Sequence, residues 1–158
     1  MKSLKYILII VAFVLIAIQL PFFTPKKNIS KVKNQIDITD KYDVPMNIQM
    51  DLYNGCYDCH SNNTKKYPWY YHIQPISWWM NHHITEAKEQ INFSEFGAYT
   101  HDEAIEKFKK LQKSMEEKTM PLKSYLWMHE EAKYNEKQYQ RVAEWARSMQ
   151  DNLGKPTH

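Results

Sequence analysis

The sequence predicts an all-α protein of about four helices joined by long loops, behind an apolar N-terminal segment. Two observations lead to this fold class. Apolar residues recur every three or four positions in several separate stretches, as on one face of a helix, and no stretch alternates at period two for long. The 158 residues also include only 3 Gly, whereas Lys, Glu and Met are frequent, which favours helices over tight-turned β structure.

The chain opens with an uncharged apolar segment over residues 6–23, interrupted only by Gln19 and Pro21. As a helix this segment would extend about 27 Å, close to the hydrocarbon thickness of a bilayer. Two lysines precede it, as basic residues do in an export signal. No small-residue cleavage site stands before Pro21. We therefore expect residues 1–23 to form an uncleaved signal anchor and a transmembrane helix, with a cleaved signal peptide as the alternative.

The lysines that flank this segment give opposing indications of its orientation. Lys2 and Lys5 lie before the segment. Four more follow it closely: Lys26, Lys27, Lys31 and Lys33. By count alone, the C-terminal side would be cytoplasmic. The short basic head nevertheless resembles an export signal, and we expect a single-pass protein of the inner membrane whose main domain faces the periplasm.

The remainder of the chain is nearly neutral. Lys2 and Lys5 account for two of the 21 basic residues, which leaves 19 basic against 18 acidic residues after the apolar segment. This balance gives no electrostatic reason to expect nucleic acid as a partner. Residues 24–43 are polar, rich in lysine and without periodicity, and we expect them to form a linker that holds the domain off the membrane.

Four helices are predicted within the domain, which we assign to residues 44–158. Pro45 suits the first turn of the first helix, and a loop is expected over residues 61–74. The second helix should begin at Pro75 and end near Asn92. The remaining boundaries follow from capping patterns: Thr100 with Glu103, a stop at Pro121, Asn135 with Gln138, and a stop at Gly154.

One motif carries chemistry, the sequence Cys56-Tyr57-Asp58-Cys59-His60, which has the CxxCH spacing of c-type haem attachment. Two thiols about one helical turn apart can form thioethers with the two haem vinyl groups. The imidazole of His60 then projects under the ring as the proximal iron ligand. We therefore expect one covalent haem c, held by Cys56 and Cys59. Bacterial haem of this type is attached outside the inner membrane, in agreement with the export signal.

Three other interpretations of the motif are weaker. A thioredoxin-like CxxC requires a βαβ context, which the sequence does not show. A zinc finger would pair Cys56 and Cys59 with His72, but the next histidines, His82 and His83, come too late for the usual spacing. A pair of buried structural cysteines would leave His60 and the export signal unexplained.

A second iron ligand decides what the haem could do. Met120 lies after the third predicted helix and directly before Pro121, whose ring fixes the backbone. Its thioether is the expected distal ligand. The alternatives are an open iron position or one of three histidines, His83, His82 and His129. Four aromatic residues that could wall the cofactor are Trp69, Tyr70, Trp78 and Trp79, although ordinary packing explains each of them equally well.

Short sequences in a fixed order extend beyond the motif and cover most of residues 45–147. They are Cys56–Asn62 (CYDCHSN), Pro68-Trp69-Tyr70, Pro75–Trp78, His83-Ile84, Asn92–Glu95, Met120-Pro121-Leu122, Tyr125, Met128-His129 and Trp145. With this set the chain resembles the single-haem "haem-binding domain" family of bacterial CxxCH proteins. Phe96 stands where the family often has Trp. The resemblance implies a cytochrome c-like bundle around one haem, with electron transfer as its function and a redox partner protein that it does not identify.

Two functions follow from the two states of the distal position. With His60 and Met120 both bound, the iron is saturated, so the protein would be an electron carrier and not an enzyme. No catalytic acid–base pair or phosphate-binding loop in the sequence opposes this hypothesis. An open iron position would instead favour a haem enzyme, or a sensor that binds a gas or peroxide.

Overall fold

Helices form the fold throughout the part of the chain that the structure describes. The structure is a computed structural model and describes residues 2–32, 35–65 and 67–155. Lys33, used above in the orientation argument, lies outside the described residues, as do Met1 and positions 156–158 at the end of the predicted domain. The described residues contain α- and 3₁₀-helices and no strand, which confirms the predicted all-α class.

Eight α-helices follow one another in the described residues: α1 (Lys2–Ala17), α2 (Ile38–Lys41), α3 (Met46–Gly55), α4 (Tyr57–His60), α5 (Ile76–Gln90), α6 (His101–Glu116), α7 (Lys123–Leu126) and α8 (Glu136–Leu153). Four 3₁₀-helices lie between them: Pro21–Phe23, Trp69–His72, Phe93–Ala98 and Glu130–Ala132. The four predicted helices of the domain correspond to α3, α5, α6 and α8. The short α2, α4 and α7 were not predicted.

Both predicted capping boxes are present. The Thr100 hydroxyl accepts the backbone N–H of Glu103 at 3.3 Å, and the Glu103 carboxylate accepts the N–H of Thr100 at 2.8 Å. Asn135 and Gln138 make the same reciprocal pair at the start of α8, with both hydrogen bonds at 3.0 Å. These side chains satisfy backbone donors that a helix start leaves without partners, which fixes where α6 and α8 begin.

The N-terminal helix is shorter than the sequence predicts. α1 ends at Ala17 because Pro21 has no N–H and its ring excludes the carbonyl of Ala17 from a helical hydrogen bond, while Leu20 is extended. None of the helices in the described residues combines the length and the apolar character needed to cross a membrane. The transmembrane helix expected over residues 1–23 is therefore not found.

Two helices of the domain also end earlier than predicted. α5 ends at Gln90, and the Asn92 side chain instead accepts the N–H of Ser94 to cap the following 3₁₀-helix. α6 ends at Glu116, where Lys118 takes a positive φ of 52°, before Pro121 can act as the stop. The segment between α6 and α7 therefore does not continue along the axis of α6.

The main core lies where α6 and α8 pack against each other and against α2, α3 and the 3₁₀-helix Phe93–Ala98. Its buried side chains are Ile38, Val44, Ile48, Leu52, Cys56, Ile91, Phe93, Phe96, Ala104, Phe108, Leu111, Met115, Val142, Ala143, Trp145 and Ala146. The first cysteine of the motif thus belongs to the core, together with Ile48 and Leu52, which precede it at intervals of four residues.

The segment expected to be a linker, residues 24–43, packs onto the domain where it is described. The Asn28 side chain donates to the carbonyl of Ser61 at 2.8 Å, and the N–H of Ser30 donates to the carbonyl of Asn62 at 2.9 Å. Further on, Ile38 is fully buried in the core. The lysine-rich composition gave no indication of the Asn28 and Ser30 contacts, because they are made by a short polar side chain and by backbone groups.

A substitution at Gly97 tests whether residues 24–43 are held against the domain. The Gly97 N–H donates to the carbonyl of Ile36, and a Cβ at Gly97 would overlap the side chain of Ile36. We expect Gly97→Ala to lower the free energy of unfolding by about 1–3 kcal/mol, because the two backbones must separate. Chemical denaturation measures this loss. In an Ile36→Gly background the loss should shrink, since the overlapping Cβ and Cγ2 atoms of Ile36 are gone. An unchanged loss in that background would show that Ile36 does not pack there.

Candidate functional site

The CxxCH motif forms one helical turn attached to the end of α3. Cys56 ends α3, where its N–H donates to the carbonyl of Leu52 at 2.9 Å. Its φ of −126° and ψ of −40° then break the helix axis, and the carbonyl of Cys56 accepts the N–H groups of Cys59 and His60. Since Leu52 is fully buried, the core holds the base of the motif in place.

The His60 imidazole is oriented by a backbone carbonyl. Its Nδ1 donates to the carbonyl of Ile91 at 2.9 Å, and this assigns the ring proton to Nδ1 and leaves the lone pair of Nε2 free. Burial lowers the pKa of His60 below its usual value, and hydrogen bonding to the carbonyls of Ile91 and Ala87 opposes this shift only in part. The ring is therefore neutral near pH 7, which is the form that binds a metal.

Both cysteines are reduced, and neither has the environment of a reactive thiolate. Burial raises the pKa of the Cys56 thiol to about 12, although a contact of 3.7 Å between its sulfur and the Tyr134 hydroxyl acts in the opposite direction. Burial and the nearby charge of Asp58 raise the pKa of Cys59 to about 11. Redox-active CxxC pairs need a lowered pKa, so these values oppose the thioredoxin-like interpretation.

Two cavities lie on either side of the motif. The first, which we call the Cys56 cavity, has a volume of about 340 Å³ and is lined by Cys56, His60 and Met120. The second, the Cys59 cavity, has a volume of about 390 Å³ and a mostly apolar lining that includes Trp69. Both volumes fall in the range of small-molecule sites. A group bonded to both cysteines would border both cavities.

The structure places the proposed distal ligands at three different locations. Met120 lies between α6 and α7, half-buried, and opens onto the same cavity as His60. His83 and His129 open onto the Cys59 cavity, and the Nδ1 of His129 donates to the carbonyl of Tyr125. His82 is exposed and lies 3.2 Å from the Glu86 carboxylate. Of these four residues, only Met120 is brought to the cavity that contains His60.

A hydrogen bond that the sequence analysis missed joins the motif to the segment after Met120. The Tyr125 hydroxyl, on α7, donates to the carboxylate of Asp58 at 2.8 Å. The second oxygen of the same carboxylate accepts the N–H of Lys65 at 3.0 Å. Asp58 occupies a variable position of the CxxCH motif, so its spacing gave no signal. Tyr125 appeared only as one of the residues shared with the family.

A second missed feature fixes the motif from the side of α8. The Tyr134 ring lies over Gly55, where a Cβ would stand 2.6 Å from the Tyr134 oxygen. The Tyr134 hydroxyl donates to the backbone carbonyl of Asp51. The Asp51 side chain is only 4 % exposed, and its carboxylate binds Arg141 and Gln138. An acidic residue three positions after Ile48, on the apolar face of α3, was the available signal that a partner must exist.

The donor set fits a c-type haem. It comprises a neutral imidazole with a free Nε2, two protonated thiols and a thioether, which are the groups such a haem uses. The described residues hold no cluster of three or more His, Cys, Asp and Glu side chains that could bind a metal ion unaided. The zinc interpretation therefore gains no support from them.

The Tyr125–Asp58 hydrogen bond should contribute measurably to stability. Tyr125→Phe removes the hydroxyl but keeps the ring, and we expect it to lower the free energy of unfolding by about 1–2 kcal/mol, because a carboxylate loses a donor. Denaturation of wild type and variant in parallel measures this. Tyr53→Phe is the matched control, since the exposed Tyr53 hydroxyl makes no hydrogen bond within the described residues. Equal stability of the two variants would mean that the bond does not hold α7.

The comparison with known families agrees with this geometry. The model of the family described as "Haem-binding domain" matches residues 13–148, which is most of the chain and includes the motif, both cavities and Met120. No curated protein and no solved structure matches the chain. Since the match covers well over half of the sequence, the chain belongs to the haem-binding domain family.

Proposed function

We propose that this protein is a monohaem c-type cytochrome that transfers electrons and does not act as an enzyme. Cys56 and Cys59 would hold the haem through thioether bonds, in a cytochrome c-like arrangement of helices. His60 would be the proximal iron ligand and Met120 the distal one. The observation that carries this proposal is that the neutral His60 ring and the Met120 side chain open onto one cavity beside Cys56.

When bound, the haem supplies a one-electron redox centre, and the chain supplies its ligands and surroundings. His60 is held in one tautomer by Ile91, and the Met120 segment is tied to the motif through Tyr125 and Asp58. A His/Met pair favours a higher reduction potential than most other ligand sets. With His60 and Met120 both bound to the iron, no coordination site would be left for a substrate. A redox partner protein would then deliver and collect the electrons.

We also propose that the protein associates with the outer face of the inner membrane through α1. The large apolar side chains of this helix are exposed on all sides, with exposed fractions between 48 % and 71 % from Leu4 to Ile16. A continuous apolar surface of this kind on a single helix is characteristic of a segment that enters a lipid phase. The export-type basic head and the periplasmic attachment of c-type haem support the same side of the membrane.

Covalent attachment is the first consequence of the proposal. After expression with a working c-type maturation system, the wild-type protein should retain a haem stain on a denaturing gel. The double variant Cys56→Ala, Cys59→Ala should lose this stain, because no thioether can form. A wild-type protein that matures under these conditions without covalent haem would exclude the cytochrome function.

The distal ligand is tested by spectroscopy of the haem-loaded protein. We expect a weak thioether-to-iron charge-transfer band in the far red of the oxidised spectrum. Met120→Ala should abolish this band, lower the reduction potential and open the iron to CO, because a soft ligand that favours the ferrous state is lost.

His83→Ala is the control, since His83 opens onto the other cavity and should leave the band intact. If His83→Ala binds CO while Met120→Ala matches wild type, the iron has two histidine ligands. A wild-type protein that binds CO readily has an open site, and a sensor or peroxide enzyme would then replace the electron carrier.

A further inference from the structure

Helix α1 is fixed to the haem-binding domain at its C-terminal end. The Gln19 side chain makes two hydrogen bonds to the backbone of Gln74: its Nε2 donates to the carbonyl at 3.1 Å, and its Oε1 accepts the N–H at 2.9 Å. The Trp78 indole donates to the carbonyl of Phe23 at 2.7 Å. These bonds join α1 and the residues after it to the start of α5. A flexible linker is therefore not the sole connection between α1 and the domain.

Exposed apolar side chains surround this junction. They come from both partners, namely Leu20, Phe22 and Phe23 after α1, and Ile73 and Trp78 from the domain, and we call them the collar. Phe22 is 78 % exposed, and Ile73 and Trp78 are each 39 % exposed. The collar thus continues the apolar surface of α1 onto the domain.

Basic residues follow the collar immediately. Lys26 and Lys27 are exposed, and the Lys27 ammonium lies 5.1 Å from the centre of the Tyr67 ring. Aromatic side chains with a polar edge, followed by lysines, are the residues that occupy the interface between lipid tails and head groups. Lysines placed there are attracted to anionic lipid.

We propose that the collar lies in the head-group region of an anionic lipid surface and that the Gln19–Gln74 bonds hold the haem-binding domain against this surface in one orientation. The inference rests on the proposed membrane association of α1 and adds the domain's own contact with lipid. The opposite end of α5 would then be farther from the lipid. There, the Lys110 ammonium contacts the Gln90 side chain at 2.7 Å, and Gln90 lies ~18 Å along the helix from Trp78.

Thiol labelling in vesicles tests the collar. In the haem-loaded full chain both native cysteines are consumed, so an introduced cysteine is the only free thiol. Ile73→Cys and Phe22→Cys report on the collar, and Glu106→Cys on α6 is the control, since the Glu106 side chain is 62 % exposed. Each protein is bound to vesicles of phosphatidylcholine and phosphatidylglycerol in equal parts and treated with a charged, membrane-impermeant maleimide. We expect loss of labelling at positions 22 and 73 and full labelling at position 106.

The outcomes separate the collar from the anchor. If Ile73→Cys labels as fast as Glu106→Cys while the protein sediments with the vesicles, α1 binds lipid but the collar does not, and the inference is wrong. A protein that stays in the supernatant contradicts the proposed membrane association itself. The Ile73→Cys thiol could instead stay unlabelled without vesicles while the protein has twice the mass of one chain. That result would assign the collar to a contact with a second copy of the chain and overturn the inference.

A second variant tests the orientation. Gln19→Ala removes both bonds to Gln74 without altering the core, and we expect it to restore labelling of Ile73→Cys while sedimentation with vesicles is unchanged. Gln140→Ala, at an exposed position of α8, is the matched control and should leave Ile73→Cys protected. Continued protection of Ile73→Cys in the Gln19→Ala background would show that these bonds do not set the orientation.

Discussion

The hydrogen bond from the Nδ1 of His60 to the carbonyl of Ile91 is the constraint on which the site depends. It gives the imidazole one tautomer and one direction, and it exists only because α5 ends at Gln90. Ile91 then turns to an extended conformation, with its side chain in the core and its N–H still bonded to Ala87. The packing of α5 and of the core therefore sets the orientation of the His60 ring.

A cluster of buried polar side chains keeps the loop after the motif in register with this helix end. The Asn62 side chain donates to the Glu95 carboxylate at 2.6 Å and accepts from the Asn92 side chain at 3.0 Å. Asn28, from the segment between α1 and α2, adds a bond to the carbonyl of Ser61. Buried amides are costly unless they are paired, so this network favours one arrangement of the loop. The family match begins at residue 13, before the predicted domain boundary at residue 44, and therefore includes Asn28.

Local signals in the sequence predicted the parts of the fold that local chemistry determines. The capping boxes at Thr100 and Asn135 fixed the starts of α6 and α8, because a cap and its partner lie three residues apart. The CxxCH motif identified the turn that the structure places between the two cavities. What the sequence could not show depends on contacts between distant residues. The hydrogen bonds of Asn28, the pairing of Asp51 with Arg141 and the assignment of Met120 and His83 to different cavities all require the folded chain.

Helix α5 connects the collar, the Cys59 cavity and His60, so the fold sets the distance between the collar and the haem-binding motif. Its first turn carries Trp78 in the collar and Trp79 at the Cys59 cavity, a later turn presents His83 to the same cavity, and the residue after the helix holds His60. If the collar lies at the lipid interface, His60 stands within about one length of α5, ~22 Å, of that interface. A flexible linker would let this height vary, whereas a helix joined to α1 by the Gln19 side chain keeps it constant. The redox partner that we propose would then have to meet the protein close to the membrane.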